Sequence, residues 1–270
     1  EKLDERGLAF FNEVAAKSFS EQASAFLEAY WDEVGNQAEF IFGCAWETIK
    51  YADMYARGIS YVHLYEEGND LDFNAGLYFY ESLCKRLEDG GVRGEFRGYE
   101  ADEFHTSQPQ MLTAIVRKKE LREKVDVNLD DRISMLEYLL YQYRVVANPA
   151  DFVTKSMRMP DELPETKKGR LALEEVHTRI KAYEAEKARL EEETKVPGVK
   201  GLRAKNLLAE LESAPQKEEL NLALSRAEGA IRKVVTLLDK RGAVWWLDKE
   251  LEGHKKKYGK RTDGVVGQGV

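Results

Sequence analysis

Along most of the chain, apolar residues recur three and four positions apart, the period of an amphipathic helix, and the alternation of a half-buried strand is rare. Residues 6–18 ("RGLAFFNEVAAKS") and 20–34 ("SEQASAFLEAYWDEV") predict two short helices, with Ser20 capping the second. Residues 37–57 ("QAEFIFGCAWETIKYADMYAR") predict a longer one that Gly58 closes. The Phe, Tyr and Trp residues of these segments stand at helical spacing, which assigns them to the core. From 59 to 88 the pattern gives helix, polar loop and helix, while residues 89–109, which include "DGGVRGEFRG", read as irregular. A helix from about Gln110 to Lys124 then leads into "DVNLDDRISMLE" (126–137). Beyond it a helix runs to about Val146, and Asn148-Pro149 opens a further short one.

The stretch "MPDELPE" (159–165) is the clearest linker. Residues 166–195 then predict one long charged helix, with Leu173, Val176, Ile180, Tyr183 and Leu190 on a seam that Lys187 interrupts. The seam is short for a coiled-coil dimer, so the expected state is a hairpin packed against a later helix of the same chain. "KVPGVKG" (195–201) is the turn that reverses direction. Helices follow at about 202–212 and 216–240, the second with an apolar stripe of Leu220, Leu224, Ala227, Ile231, Val234 and Leu238. "WWLDKELEGHKKKYGKR" ends the folded part and leaves "TDGVVGQGV" as a frayed tail. The expectation is an all-α protein with a calcium-binding helical domain over 1–160, a helical hairpin or bundle over 161–260, and a disordered tail at 261–270.

Composition says more about partners than about fold. Hydrophobic residues at 43% and charged residues at 33% of the 270 positions suit a soluble, helix-rich protein. No apolar run approaches the ~20 residues that cross a bilayer, and no signal pattern precedes the first charged helix. Cys44 and Cys84 lie inside apolar helical patterns and read as reduced core residues, which favours a cytosolic setting. The net charge of −8 is unevenly spread. Residues 1–160 carry 18 Lys and Arg against 29 Asp and Glu, residues 161–270 carry 23 against 20, and residues 196–270 alone carry 15 against 10. An acidic half suited to holding cations is joined to a mildly basic half suited to an acidic partner. Neither a nucleic acid nor a membrane is expected as that partner, and the chain is expected to be a monomer or weak dimer.

Residues 126–137 place oxygen donors at the spacing of a twelve-residue calcium loop: Asp126, Asn128, Asp130, the carbonyl of Arg132, Ser134 through a water, and Glu137 as the bidentate last position. Ile133 supplies the apolar eighth position through which paired loops meet. At the sixth, where the sharp turn needs positive φ, Asp131 replaces glycine at a cost on the order of 1 kcal/mol. A weaker copy, "DLDFNAGLYFYE", offers Asp70, Asp72, Asn74 and Glu81 at positions one, three, five and twelve, with Leu77 at the eighth. Either it holds a metal, or it stays empty and packs Leu77 against Ile133. The four histidines, His63, His105, His177 and His254, are dispersed, with no zinc spacing among them. No phosphate-cradling or nucleophile motif occurs, so no enzyme is expected.

Nine stretches, "FLEAYWDEV", "WETIKYADM", "EEGNDLDFNAGLYFYE", "SQPQMLTA", "RKKELREKVDVNLDDRISMLEYLLYQY", "NPADF", "RLALEEV", "KVPGVKG" and "DKELEGHKKKYG", resemble the small calcium-regulated actin-bundling proteins of amoeboid cells, over residues 8 to 259. The resemblance implies a cytoplasmic, cytoskeletal protein that cross-links F-actin and whose bundling falls when calcium occupies its EF-hand loops. Asp126, Asn128, Asp130, Arg132 and Glu137 match the better loop of that family, and Asp131 departs from the glycine expected there. Actin filaments are strongly acidic, so the basic residues late in the chain become filament-contact candidates: Lys200, Arg203, Lys205, Arg232, Lys233, Lys240, Arg241, Lys255, Lys256 and Lys257. The alternative is a calcium sensor or buffer that binds a target peptide. Only five Met occur, scattered, where a sensor usually exposes a Met-rich groove.

Overall fold

The computed structural model describes residues 3–88, 107–159, 162–213 and 215–259. The irregular segment expected at 89–109 falls largely outside them, and the tail expected at 261–270 wholly so. The chain divides into two compact units, Glu1–Asp161 with Arg241–Ala243, and Glu162–Lys240 with Val244–Val270. The structure is all-α apart from one two-stranded sheet.

In the first unit, α1 (Glu5–Ala15) starts at Asp4, whose side chain accepts a hydrogen bond from the Gly7 N–H, and α2 is Phe19–Val34. The cap of α2 is Ser18 and not Ser20: Ser18 and Glu21 form a reciprocal capping box, while the Ser20 N–H and hydroxyl bond the Glu67 carboxylate. The expected long third helix is present but uneven. It runs through α3 (Ala38–Phe40), a π-helical turn at Ile41–Trp46 and α4 (Glu47–Ala56), and Gly58 then takes φ 65°. The helix expected just after 59 reduces to a single 3₁₀ turn, Val62–Leu64. Its Tyr61, Val62 and Leu64 side chains are exposed, so no apolar face exists to stabilise a longer one. Next come β1 (Asp70–Asp72), α5 (Phe73–Glu88), α6 (Ala114–Glu120) with a π-helical turn over Leu121–Val125, β2 (Arg132–Ser134), α7 (Met135–Gln142) and α8 (Pro149–Arg158).

The core of this unit is aromatic, with Phe11, Phe19, Phe26, Tyr30, Phe40, Phe79, Tyr80, Tyr138 and Phe152 buried, but Tyr51 and Tyr55, expected in the core by spacing, lie exposed on α4. Cys44 and Cys84 are buried and not joined by a disulfide, Cys84 donates to the Pro109 carbonyl at 3.3 Å, and burial pushes the Cys44 thiol up to about 11. Gln22 is the polar exception, fully buried on the apolar face of α2. The two N–H groups of its amide are shared among the carbonyls of Ala15 (2.9 Å), Lys17 (2.6 Å) and Asn69 (2.7 Å), and its oxygen accepts from the Leu136 N–H at 2.9 Å. One side chain thereby joins the α1–α2 corner, the segment entering β1 and the start of α7.

The second unit is built on α9 (Pro164–Thr194), α10 (Val199–Ser213), α11 (Pro215–Leu238) and α12 (Gly242–Tyr258). Leu173 and Val176 of α9, Leu220, Ala223, Leu224, Ala227 and Ile231 of α11, and Leu247 and Leu251 of α12 form one buried cluster. The apolar seam of α9 is thus covered by helices of its own chain. Lys187, which interrupts the seam, ion-pairs with Glu212 at 3.1 Å, so its charge meets a partner on α10. Gly198 takes φ 93° in the reversal, a conformation that a residue with Cβ adopts only under strain.

Candidate metal centre

The 126–137 loop is wound by its own side chains. Asp126 accepts from the N–H groups of Asp130 (3.2 Å) and Asp131 (3.0 Å), Asn128 from Asp130 (3.3 Å), and Asp130 from Arg132 (2.8 Å). Leu129 and Asp131 both take positive φ, 61° and 60°, so Asp131 occupies the conformation that glycine adopts without cost. Its carboxylate lies 3.6 Å from the Arg122 guanidinium, and both groups are exposed. Asp131→Gly removes the strain and one weak surface pair, so loop affinity for calcium is expected to rise by roughly fivefold, about 1 kcal/mol, read by calorimetric titration. Weaker binding would give Asp131 a part in holding the ion.

Ser134 is the N-cap of α7, in a second capping box with Glu137. The Ser134 hydroxyl accepts from the Glu137 N–H at 3.2 Å and donates to Glu137 Oε2 at 2.9 Å, so position nine of the loop is engaged in the cap. Glu137 Oε2 also accepts from the Ser134 N–H, and Oε1 accepts from the Val127 N–H, each at 2.8 Å. A single carboxylate therefore closes the start of the loop onto its end. Glu137 is 2% exposed, and burial pushes its carboxyl up to about 7 against the pull of those hydrogen bonds. Burial also raises the Asp126 carboxyl. Among the described residues no Lys or Arg pairs with either group. An all-oxygen donor set around two buried, uncompensated carboxylates fits a hard divalent cation.

The second loop falls in a different register from the one expected. β1 and β2 pair antiparallel, with Leu71 opposite Ile133, Asp70 opposite Ser134 and Asp72 opposite Arg132. Leu71, not Leu77, is thus the apolar residue that meets Ile133. Counting back from it puts Leu64 at the first position of the loop and Ala75 at the last, neither able to donate a side-chain oxygen. Asp70 ion-pairs with Arg132, Asp72 caps α5 through the N–H groups of Asn74 (2.8 Å) and Ala75 (2.9 Å), and Asn74 accepts from Lys118. Glu81 lies on the exposed face of α5, paired with Lys85. The four residues serve strand and helix and do not converge. The sequence match slid by six residues because the acids needed to cap α5 imitate the start of a loop. The segment before β1 is held by protein instead: Glu67 accepts from the Ser20 N–H (2.6 Å) and the Trp46 indole (2.8 Å), and Arg57 bonds Asp53 (3.1 Å) and the Glu66 carbonyl (2.8 Å).

No protein-family model matches the chain. It is 55% identical over 274 aligned residues to the calcium-regulated actin-bundling protein of Dictyostelium discoideum, spanning 96% of this chain and 91% of that one. The chain belongs to the calcium-regulated actin-bundling proteins. The crystal structure of the 34 kDa F-actin bundling protein from Dictyostelium discoideum superposes with a TM-score of 0.90 at 57% identity, covering 96% of this chain and all of that one.

For a member of the actin-bundling family, the placement of the basic residues matters next. Lys200, Arg203 and Lys205 stand exposed on α10, Lys233 on α11 and Lys256 on α12, with no ion pair among the described residues. Others are engaged internally: Arg232 and Lys255 both meet Glu228 (3.0 and 2.9 Å), Lys240 pairs with Asp248 and Glu252, and Arg241 pairs with Asp32. Lys257 lies over the Tyr258 ring. Sequence reading missed the apolar company of the first three, since Val199, Leu202 and Leu207 are exposed on the same helix. It also missed that His177 and His254, dispersed in sequence, meet in the fold.

Proposed function

We propose that this protein cross-links actin filaments into bundles and that calcium, held by the 126–137 loop as an EF-hand-type site, reduces that bundling. The reading rests on family membership and on one observation above the rest, the buried Glu137 carboxylate that ties both ends of an all-oxygen loop. Asp126, Asn128, Asp130, the Arg132 carbonyl and Glu137 would hold the ion. Bound calcium supplies the positive charge that these carboxylates otherwise lack. Deprotonated Glu137 and Asp126 then stay buried at neutral pH, and the β1–β2 bridge and α7 feel the change through Ile133 and Ser134. The setting is the cytoplasm, on the cytoskeleton.

Filament contact is assigned to the second unit, with α10 as its first candidate. Exposed Val199, Leu202 and Leu207 beside Lys200, Arg203 and Lys205 offer apolar area together with unpaired positive charge, which suits an acidic protein surface. Ion site and filament site then lie on different parts of the chain, so calcium acts by coupling and not by competition. Cosedimentation tests the whole reading: low-speed pelleting of filaments with chelator, and less of it with calcium. Filaments that stay unbundled in chelator would defeat it, and binding to a soluble peptide alone would favour a sensor. The combined variant Lys200→Ala, Arg203→Ala, Lys205→Ala is expected to weaken filament affinity on the order of tenfold, at roughly 0.5 kcal/mol per exposed charge, and to flatten the salt dependence. Unchanged affinity would move the contact off α10.

A further inference from the structure

The second unit brings together three side chains that no calcium chemistry requires. His177 projects from α9, and Glu250 and His254 stand one turn apart on the same face of α12. The two Nε2 atoms are 2.7 Å apart, His177 Nε2 is 3.2 Å from Glu250 Oε1, and the three ligand atoms all lie within 4.8 Å of one another. Two Nε2 atoms that close cannot both carry a proton, so at least one imidazole is unprotonated at Nε2, the form that binds metals. Glu250 is nearly buried, while His177 is 41% exposed on its side chain, which leaves an open approach from solvent.

We propose that His177, Glu250 and His254 form a binding site for a divalent transition metal of the zinc class. Two imidazoles and one carboxylate match a three-protein-ligand zinc set with water in the fourth position. In a tetrahedral shell with Zn–N near 2.0–2.1 Å, nitrogens sit about 3.3 Å apart, so the rings need to part by only roughly 0.6 Å from where they stand. Nitrogen donors also discriminate against calcium, which prefers six to eight oxygens. The site is therefore chemically separate from the loop in the first unit. Metal bound there would tie α9 to α12 across the apolar cluster of Leu173, Val176, Leu247 and Leu251.

The test is calorimetric titration of zinc chloride into the full chain, stripped of metal and then saturated with calcium, with thermal melting followed by circular dichroism. One equivalent of zinc and a higher melting temperature are expected. His177→Gln and His254→Gln should each cut zinc affinity at least about tenfold with unchanged helicity before zinc is added, and Glu250→Gln should weaken it less. Glu137→Gln should leave zinc binding as it is. The proposal falls if the parent takes up no zinc under calcium saturation, if both histidine variants bind zinc as the parent does, or if Glu137→Gln removes the binding.

Discussion

Replacing Glu137 with Gln is expected to leave bundling in chelator intact and to abolish its response to calcium. The amide keeps the size of the side chain, and its oxygen in the place of Oε2 still accepts from Ser134, so the cap of α7 survives while the Val127 N–H loses its acceptor. What disappears is a charged last-position ligand, and since ligand charge sets loop affinity over decades, a loss on the order of 100-fold or more is expected. Stability in chelator separates this from misfolding, and the sign can be worked out. Glu137 ordinarily titrates near 4.5 and in the folded chain near 7, so the native state binds the extra proton. The stability this lends is full below pH 4.5 and drains away as pH rises through about 7. The Gln variant lacks that loss, so without calcium its melting temperature relative to the parent should rise between pH 5 and pH 8, whatever fixed cost the Val127 N–H adds. Unchanged calcium binding by calorimetry would remove Glu137 from the site, and lost bundling in chelator would make it a folding residue only.

Gln22→Leu should be the most damaging single change in the first unit. It removes the partner of three carbonyls, Ala15, Lys17 and Asn69, and of the Leu136 N–H, with the Ala15 and Leu136 contacts fully buried. Buried polar groups without partners cost about 1–3 kcal/mol each, so even with relaxation the loss is at least roughly 3 kcal/mol. Scanning calorimetry should show the transition of the first unit moving down while that of the second holds. Calcium affinity should weaken too, because Leu136 sits in the penultimate position of the loop. A melting curve unchanged from the parent would mean that Gln22 only fills space.

How far these features were legible depends on whether their causes are local. The long helix α11 was readable because Leu220 to Val234 announces its period without outside information, although Leu238, expected to continue the stripe, is exposed. The turn at 126–137 was readable because the acids that wind it bond backbone N–H groups two to five residues away, so its cause is local. The partner loop was misread because its register is set by a strand pairing 62 positions away, Leu71 to Ile133, which no local spacing encodes. Ser18 lost the cap to Ser20 on paper because the decisive hydrogen bond runs to Glu21, and Glu67 claims Ser20 from afar. Gln22 did leave a trace: a polar residue among Phe19, Ala23, Phe26 and Leu27 on one face is a sign of buried carbonyls needing donors. His177 and His254 left none, since only the packing of α9 against α12 joins them.

The β1–β2 register has a consequence for the shape of the calcium response. With Leu64 and Ala75 at the two anchoring positions of the partner loop, the proposed calcium site holds one ion per pair of loops, and the bridge through Leu71 and Ile133 carries no second binding event to reinforce the first. Occupancy then follows a simple hyperbola with a Hill coefficient of one, and passing from one-tenth to nine-tenths saturation takes roughly an 80-fold rise in free calcium. Filament networks held by such a linker would loosen by degrees along a calcium gradient, each zone of the cell settling at its own mesh stiffness, with no threshold at which bundles let go together.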